Sequence, residues 1–343
     1  MQRLHWLRYN TGGGGMNCLC CGKPIRSSQC RSGWHIACIQ RFFGTEELPD
    51  LELNDETLQL LAEKNVQSGY TVPGVQKKLS LHLSREEKSR LTLVDYPNGY
   101  ILKPQVQEFE MLPESEHLVM LMAESSGLTV VPHALMELNG TYAYITKRID
   151  RDLSGQTPGI FAMEDFCQLS LRMTADKYKG SYEQCAKVIS QYSSSPGLDL
   201  SELYLRLVFC FLTGNSDMHL KNFSMIETAP ASGKYILSPA YDLLPVNVIM
   251  PEDREQFALQ MNGKKSKLRN KHFLAFANTI GINQHAAEAM IRAMLGKTQR
   301  WINMCEESLL SPDMKTRFKE LIIMRAENLE QESPIPRTRP RIT

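Results

Sequence analysis

GNSDMHLKN (214–222) follows the apolar run LYLRLVFCFLTG (203–214) and sets Asp217 and Asn222 five residues apart. A carboxylate and a carboxamide are hard oxygen ligands of the kind magnesium takes, with waters and phosphate oxygens completing the shell. The apolar run reads as a buried helix that would hold the loop at its end. A second carboxylate, Asp242, lies 25 residues beyond Asp217 in YILSPAYDLLP (235–245), behind the strand-like Tyr235-Ile236-Leu237. Each signal alone has a plain alternative. Asp-x4-Asn also fits a polar loop after a helix, and Asp242 also fits a turn cap.

The chain around this loop is 343 residues long, enough for one large or two ordinary domains. Its net charge of +1 creates no global field for nucleic acid or membrane, and no apolar run approaches the length of a membrane span. The opening MQRLHWLRYN lacks the apolar centre of a secretory signal, so a cytoplasmic location is expected. Residues 1–15 end in four glycines and read as a flexible leader or a vector remnant. A Cys/His module is expected over 16–44, a β-rich N-lobe over 45–150, a helical C-lobe over 151–332, and a Pro/Arg-rich disordered tail over 333–343.

Leu79, Leu81 and Leu83 alternate with polar residues, as do Leu91 and Leu93, which predicts half-buried strands; YILK (100–103) continues them. Leu118, Leu121, Met122 and Ser125 share one helical face, with Gly127 as the stop. ALMEL (134–138) and TYAYITK (141–147) flank Asn139-Gly140, a strong hairpin signal. Helices are expected at 161–170, 181–192, 199–213, 283–295 and 312–331. The fold class is therefore α+β, with a small β-rich lobe followed by a larger helical one.

Phosphoryl transfer requires held phosphates, a placed metal and an oriented acceptor hydroxyl. Kinases use a catalytic-loop Asp, an Asn five positions later and a downstream metal-binding Asp, in that order. Lys103 ends a strand and Glu116 opens the next helix, as in the strand-Lys and helix-Glu pair of kinases. SGYTVPGVQKKLS (68–80) offers two glycines before a strand, although no GxxxxGK[ST] loop occurs.

Taken together, TVPGVQKKLSL, YILKP, PESEHLVMLMAESSGL, YITKRIDR, EDFCQL, GNSDMHLKNFSM, LSPAYDLLP and LQMNGK resemble the HipA family of bacterial serine/threonine kinase toxins. The resemblance runs from about Gln67 to Gln331 and implies a two-lobed, protein-kinase-like fold using ATP and magnesium. It makes Asp217 the catalytic base, with His219 and Lys221 on family positions of the same loop, and Asn222 and Asp242 the magnesium ligands. Lys103, Glu116, Gly74, Gln76 and Lys78 would bind ATP, with Thr146, Lys147 and Ile149 as the hinge beside adenine. Lys147 departs from the Glu often found there. Only about 50 residues separate Met16 from Ser68, which suggests the short HipT type. Its expected partners are a small HipS-like protein supplying the missing subdomain and a HipB-like antitoxin that alone binds DNA. The implied substrate is an aminoacyl-tRNA synthetase, tryptophanyl-tRNA synthetase first, and Thr71 or Ser68 would be autophosphorylated. A phosphatidylinositol-kinase-like lipid kinase also fits DMHLKN, and an inactive kinase-fold scaffold is the non-enzymatic alternative.

Cys18-x2-Cys21 and His35-x2-Cys38 have the spacing of a zinc knuckle, with Cys20 and Cys30 spare. A structural zinc is one reading; a set of apolar thiols beside Trp34 and Phe42 is the other.

Overall fold

A computed structural model describes residues 17–26, 30–51, 78–84, 89–94, 98–152 and 159–330. Gly74, Gln76, Thr71 and Ser68, the leader, most of the polar stretch after Leu51, and the tail lie outside the described residues. The chain divides into two compact units, Met1–His117 with Val131–Pro158, and Leu118–Val130 with Gly159–Thr343.

The first unit opens with a ribbon of β1 (Cys30–Arg31) and β2 (Trp34–His35), then helix α1 (Ile36–Phe43). Its main element is a six-stranded sheet of β3 (Asp50–Leu51), β4 (Leu79–Ser84), β5 (Arg90–Val94), β6 (Tyr100–Pro104), β7 (His133–Leu138) and β8 (Thr141–Lys147), in the order β3-β5-β4-β6-β8-β7. All its pairings are antiparallel except β3 with β5. The alternation around Leu79 holds, since Leu79, Leu81 and Leu91 are buried while His82 and Thr92 face outward. Asn139 and Gly140 take φ of 50° and 78°, the double left-handed geometry of a two-residue hairpin turn.

Helix α2 (Leu112–Ser125) ends before Gly127 as expected, but its burial differs from a single-face stripe. Val119, Met120 and Ala123 are buried along with Leu118 and Met122, and Leu121 is half-buried. A helix apolar on nearly every side is an interior helix.

The second unit carries a three-stranded antiparallel sheet, β9 (Met163–Asp165), β10 (Ser224–Glu227) and β11 (Tyr235–Leu237), with β10 central. Its helices are α3 (Phe166–Leu169), α4 (Tyr182–Tyr192), α5 (Pro196–Thr213), α6 (Val246–Ile249), α7 (Asn270–Thr279), α8 (Gln284–Leu295), α9 (Thr298–Glu307) and α10 (Pro312–Glu330). Four of the five expected helices are present. The fifth, 161–170, is instead strand β9 followed by one helical turn. Pairing of Met163–Asp165 with Ser224–Ile226 overrides the local pattern there. Asp165 then caps α3 reciprocally with Gln168. Helix α5 is the spine of this unit: Phe209 meets Trp301 edge-on at 5.3 Å, and Phe211 meets Phe273 at 5.2 Å.

A buried histidine pair joins α2 to β7, with His117 Nδ1 3.0 Å from His133 Nδ1, and His133 stacks on Tyr144. One imidazole donates and the other accepts, an arrangement that two neutral rings satisfy. Burial holds His117 well below its usual range, helped by repulsion from His133, and pushes His133 down to about 3. In the unfolded chain both would protonate near pH 6.5. The stability they contribute is therefore full above that pH and is lost as pH falls below it. Between pH 6.5 and 5 we expect roughly 1–3 kcal/mol lost per pH unit, measured by denaturant unfolding. The slope should flatten in an H117N/H133N double variant; an equal slope would contradict this assignment.

Candidate active site

Helix α5 ends because Gly214 adopts φ +70°, a left-handed C-cap whose amide reaches back to the Cys210 and Phe211 carbonyls. A Cβ at Gly214 would sit 2.7 Å from Leu321 Cδ2, so glycine serves both the turn and the close approach of α10. The loop then closes on itself. Asp217 N–H donates to Asn215 Oδ1 at 3.1 Å, His219 N–H to the Asp217 carbonyl at 2.8 Å, and Asn222 Nδ2 to that same carbonyl at 2.9 Å. With Nδ2 committed to Asp217, the Asn222 side chain turns its Oδ1 the other way. That is the oxygen a hard cation would take.

Partners from elsewhere in the second unit fix the loop in place. Tyr178 donates its hydroxyl to Asp217 Oδ1 at 2.8 Å, and its ring meets His219 edge-on at 5.1 Å. Leu220 N–H donates to the Lys177 carbonyl, and Tyr182 hydroxyl to the Met218 carbonyl. Lys221 pairs with Asp165 at 2.6 Å. Burial, then the charge and hydrogen bond of Asp217, push the Tyr178 phenol up, so it remains a donor across the physiological range. Behind the loop, Ser216 donates to Asp253 at 2.6 Å, while Asn247 Nδ2 bonds the Asp253 and Glu255 carbonyls and Arg325 donates to Asn247 Oδ1.

Asp242 takes φ +60°, a left-handed conformation that costs a non-glycine residue about 1–2 kcal/mol and that Asp tolerates better than most. Tyr241 beside it ties this segment to the loop, donating its hydroxyl to the Lys221 carbonyl at 3.1 Å and lying 2.6 Å from Ser224 Oγ. Burial raises the Tyr241 phenol, and the charges of Asp165 and Asp242 add to the rise. Upstream in the same segment, buried Arg206 of α5 holds the Ser238 carbonyl at 2.9 Å. Hard oxygen donors and an acidic field here suit magnesium.

In the first unit, Lys103 Nζ meets Glu116 Oε1 at 2.6 Å, with side-chain exposures of 5% and 0%. Lys103 also lies over the Tyr144 ring, 5.2 Å from its centroid. The expected pair is thus formed. Thr146 is buried and donates to the Pro132 carbonyl; the Lys147 and Arg148 amides donate to the Pro132 and Gly99 carbonyls. Ile149 is half-buried and Lys78 exposed. Cys18, Cys21, His35 and Cys38 gather into one cluster. Tyr178, Asp165, Tyr241 and Asn247 join the site without being marked as site residues by the sequence. Only the capping pattern Asp165-x2-Gln168 carried a local signal.

The chain is similar in sequence and fold to known proteins. The chain superposes on a chain of the Shewanella oneidensis MR-1 complex of toxin–antitoxin proteins HipA and HipB with operator DNA, with TM-score 0.64 at 19% identity, over 76% of this chain and 65% of that one. The fold is therefore α+β and protein-kinase-like. A family model described as the HipA-like C-terminal domain matches residues 70–302, more than half the chain, and the protein belongs to that family. It is similar to a "putative kinase" of Haemophilus influenzae, 26% identical over 77% of this chain and 82% of the relative. A second relative, from Sinorhizobium fredii, is 35% identical over 51% of this chain, which spans only 44% of that protein. Among the described residues, no helix is long and apolar enough to cross a membrane.

The buried Lys103–Glu116 pair gives a direct stability test. Lys103→Met or Glu116→Leu alone removes one member of this buried 2.6 Å pair and should cost about 3–5 kcal/mol in denaturant unfolding. The double variant should recover most of that loss. Losses that simply add would contradict a coupled buried pair.

Proposed function

We propose that this chain is an ATP- and magnesium-dependent protein serine/threonine kinase acting as the toxin of a bacterial toxin–antitoxin system. The observation that carries the reading is the closed loop in which the Asn222 amide fixes the Asp217 backbone while Tyr178 fixes the Asp217 carboxylate. Asp217 accepts the proton of the acceptor hydroxyl, and the Tyr178 bond to one carboxylate oxygen orients the other toward it. Asn222 and Asp242 would hold magnesium, which supplies neutralisation of the phosphate charge when bound. Lys103, positioned by Glu116, holds ATP phosphates, with Gly74, Gln76 and Lys78 nearby in sequence and the Thr146–Ile149 segment beside the base. Lys221, paired with Asp165, keeps the loop's end in register, and His219 packs against Tyr178.

The finer identity follows the family resemblance. The chain is of the HipT type, its target is a serine or threonine on an aminoacyl-tRNA synthetase, tryptophanyl-tRNA synthetase first, and Thr71 or Ser68 is the site of self-phosphorylation. A HipB-like antitoxin and a HipS-like protein hold it in check. The Shewanella relative, seen with HipB and operator DNA, supports the antitoxin partner.

Expression of wild type and Asp217→Asn with comparison of growth and phosphoproteome tests the proposal. Phosphotransfer should fall by about 10²–10⁴ in Asp217→Asn, and growth arrest should vanish. Equal toxicity from both proteins would overturn it, and a phosphoinositide product would assign a lipid kinase instead. Tyr178→Phe should lower kcat by roughly tenfold and leave the KM for ATP unchanged, as for one lost hydrogen bond to a charged group. A change confined to KM would remove Tyr178 from the orienting role.

A further inference from the structure

The side-chain donor atoms of Cys18, Cys21, His35 and Cys38 all lie within 4.8 Å of one another. The separations around the histidine are 3.5 Å from Cys21 Sγ to His35 Nδ1 and 3.8 Å from Cys38 Sγ to the same nitrogen. Zinc bonds of about 2.3 Å to sulfur and 2.0–2.1 Å to nitrogen, arranged tetrahedrally, set ligand atoms roughly 3.5–3.8 Å apart. The cysteines are free thiols, and the observed spacings are those of ligands around a shared cation.

The surroundings are built for thiolates. Cys18 Sγ accepts from the Cys20 amide at 3.5 Å and the His35 amide at 3.3 Å. Gly22, at φ +67°, follows the first ligand pair, and its amide donates to the Cys18 carbonyl, folding a tight knuckle. Arg41 reaches Cys38 Sγ at 3.8 Å. A divalent cation with three thiolates and a neutral imidazole carries one net negative charge, which the Arg41 guanidinium offsets. The His35 ring is oriented by the outer partner that metal-bound histidines characteristically have. Its Nε2 lies 3.1 Å from the Pro24 carbonyl and donates to it, which leaves the Nδ1 lone pair facing the three sulfurs.

We propose that these four residues bind one zinc ion in a closed structural site, and that this ion fixes the amino-terminal module as a cap on the edge of the six-stranded sheet. Four protein ligands leave no open position for chemistry. The cap is visible in the contacts. Strand β7 is an edge strand, and unpaired edges are sites of misassembly. Here Leu135 N–H donates to the carbonyl of Leu19, between ligands Cys18 and Cys21, and Trp34 Nε1 donates to the Leu135 carbonyl at 3.1 Å. Trp34 directly precedes the ligand His35. From α1, Phe42 and Phe43 pack on Tyr100 at 5.9 and 5.4 Å, and Tyr100 opens the strand that carries Lys103. The module's own apolar core is too small to hold this shape unaided, so the metal supplies the missing constraint. Cys30 stands opposite His35 in the ribbon but outside the cluster.

The inference does not depend on the kinase reading, and its test reads metal rather than activity. The full chain, purified without chelator, is assayed for zinc by elemental analysis alongside Cys21→Ala, Cys38→Ala, Cys21→His and Cys30→Ala. One zinc per chain is expected in wild type and Cys30→Ala, none in the two ligand-to-alanine variants, and retention in Cys21→His, which keeps a ligand atom. Cobalt replacing zinc should give the thiolate charge-transfer and visible bands of a tetrahedral site. Chelation should lower the melting temperature and alter the near-ultraviolet dichroism of buried Trp34. Wild-type chain that takes up neither zinc nor cobalt stoichiometrically would overturn the proposal, as would undiminished metal in a C21A/C38A double variant. Unchanged melting on complete metal removal would overturn the capping role.

Discussion

The hydrogen bond from Asn222 Nδ2 to the Asp217 carbonyl is the constraint on which the candidate site depends. It fixes the main chain of one functional residue with the side chain of the other, so neither can be re-aimed alone. The donor choice also decides which atom of Asn222 is left to face a cation. Everything around the loop preserves this closure. Gly214 makes the sharp exit from α5, Asn247 accepts Arg325 and bonds the Asp253 and Glu255 carbonyls behind the loop, and two tyrosines hold its carbonyl and carboxylate oxygens. Such a constellation is preorganised, because the loop's own hydrogen bonds and those from Tyr178 set the groups of Asp217 and Asn222.

The first unit follows the same logic with different chemistry. Helix α2 places Glu116 against Lys103 and, one residue on, His117 against His133. His133 stacks on Tyr144, whose ring lies beneath the Lys103 ammonium. An ion pair this deeply buried gains little net stability over an apolar pair, but losing one member is costly. It therefore serves to hold an ammonium in a defined place within an apolar sheet.

The strand pattern at Leu79–Leu93, the Asn139-Gly140 turn and the long helices were legible because each depends on short-range periodicity or turn chemistry. The Cys/His cluster and the Lys103–Glu116 pair are legible because spacing and chain order carry them. Strand β9 was misread as helix, since its conformation comes from pairing with residues some sixty positions later. Tyr178 and Asp165 were hidden for the same reason: their partners Asp217 and Lys221 are 39 and 56 residues away. Nothing local marks a tyrosine as the hydrogen-bond donor to a carboxylate that distant.

The proposed role of Asn222 is to present an oxygen to a magnesium ion beside Asp217, the proposed base. It is tested most directly by transfer of the γ-phosphate of labelled ATP with purified wild type, Asn222→Asp and Asn222→Ala across a magnesium titration. Transfer is expected to require magnesium, to persist in part with Asp at position 222 at raised metal concentration, and to be lost with Ala while the circular dichroism stays unchanged. Transfer by a folded Asn222→Ala protein at the wild-type rate and metal dependence would contradict it.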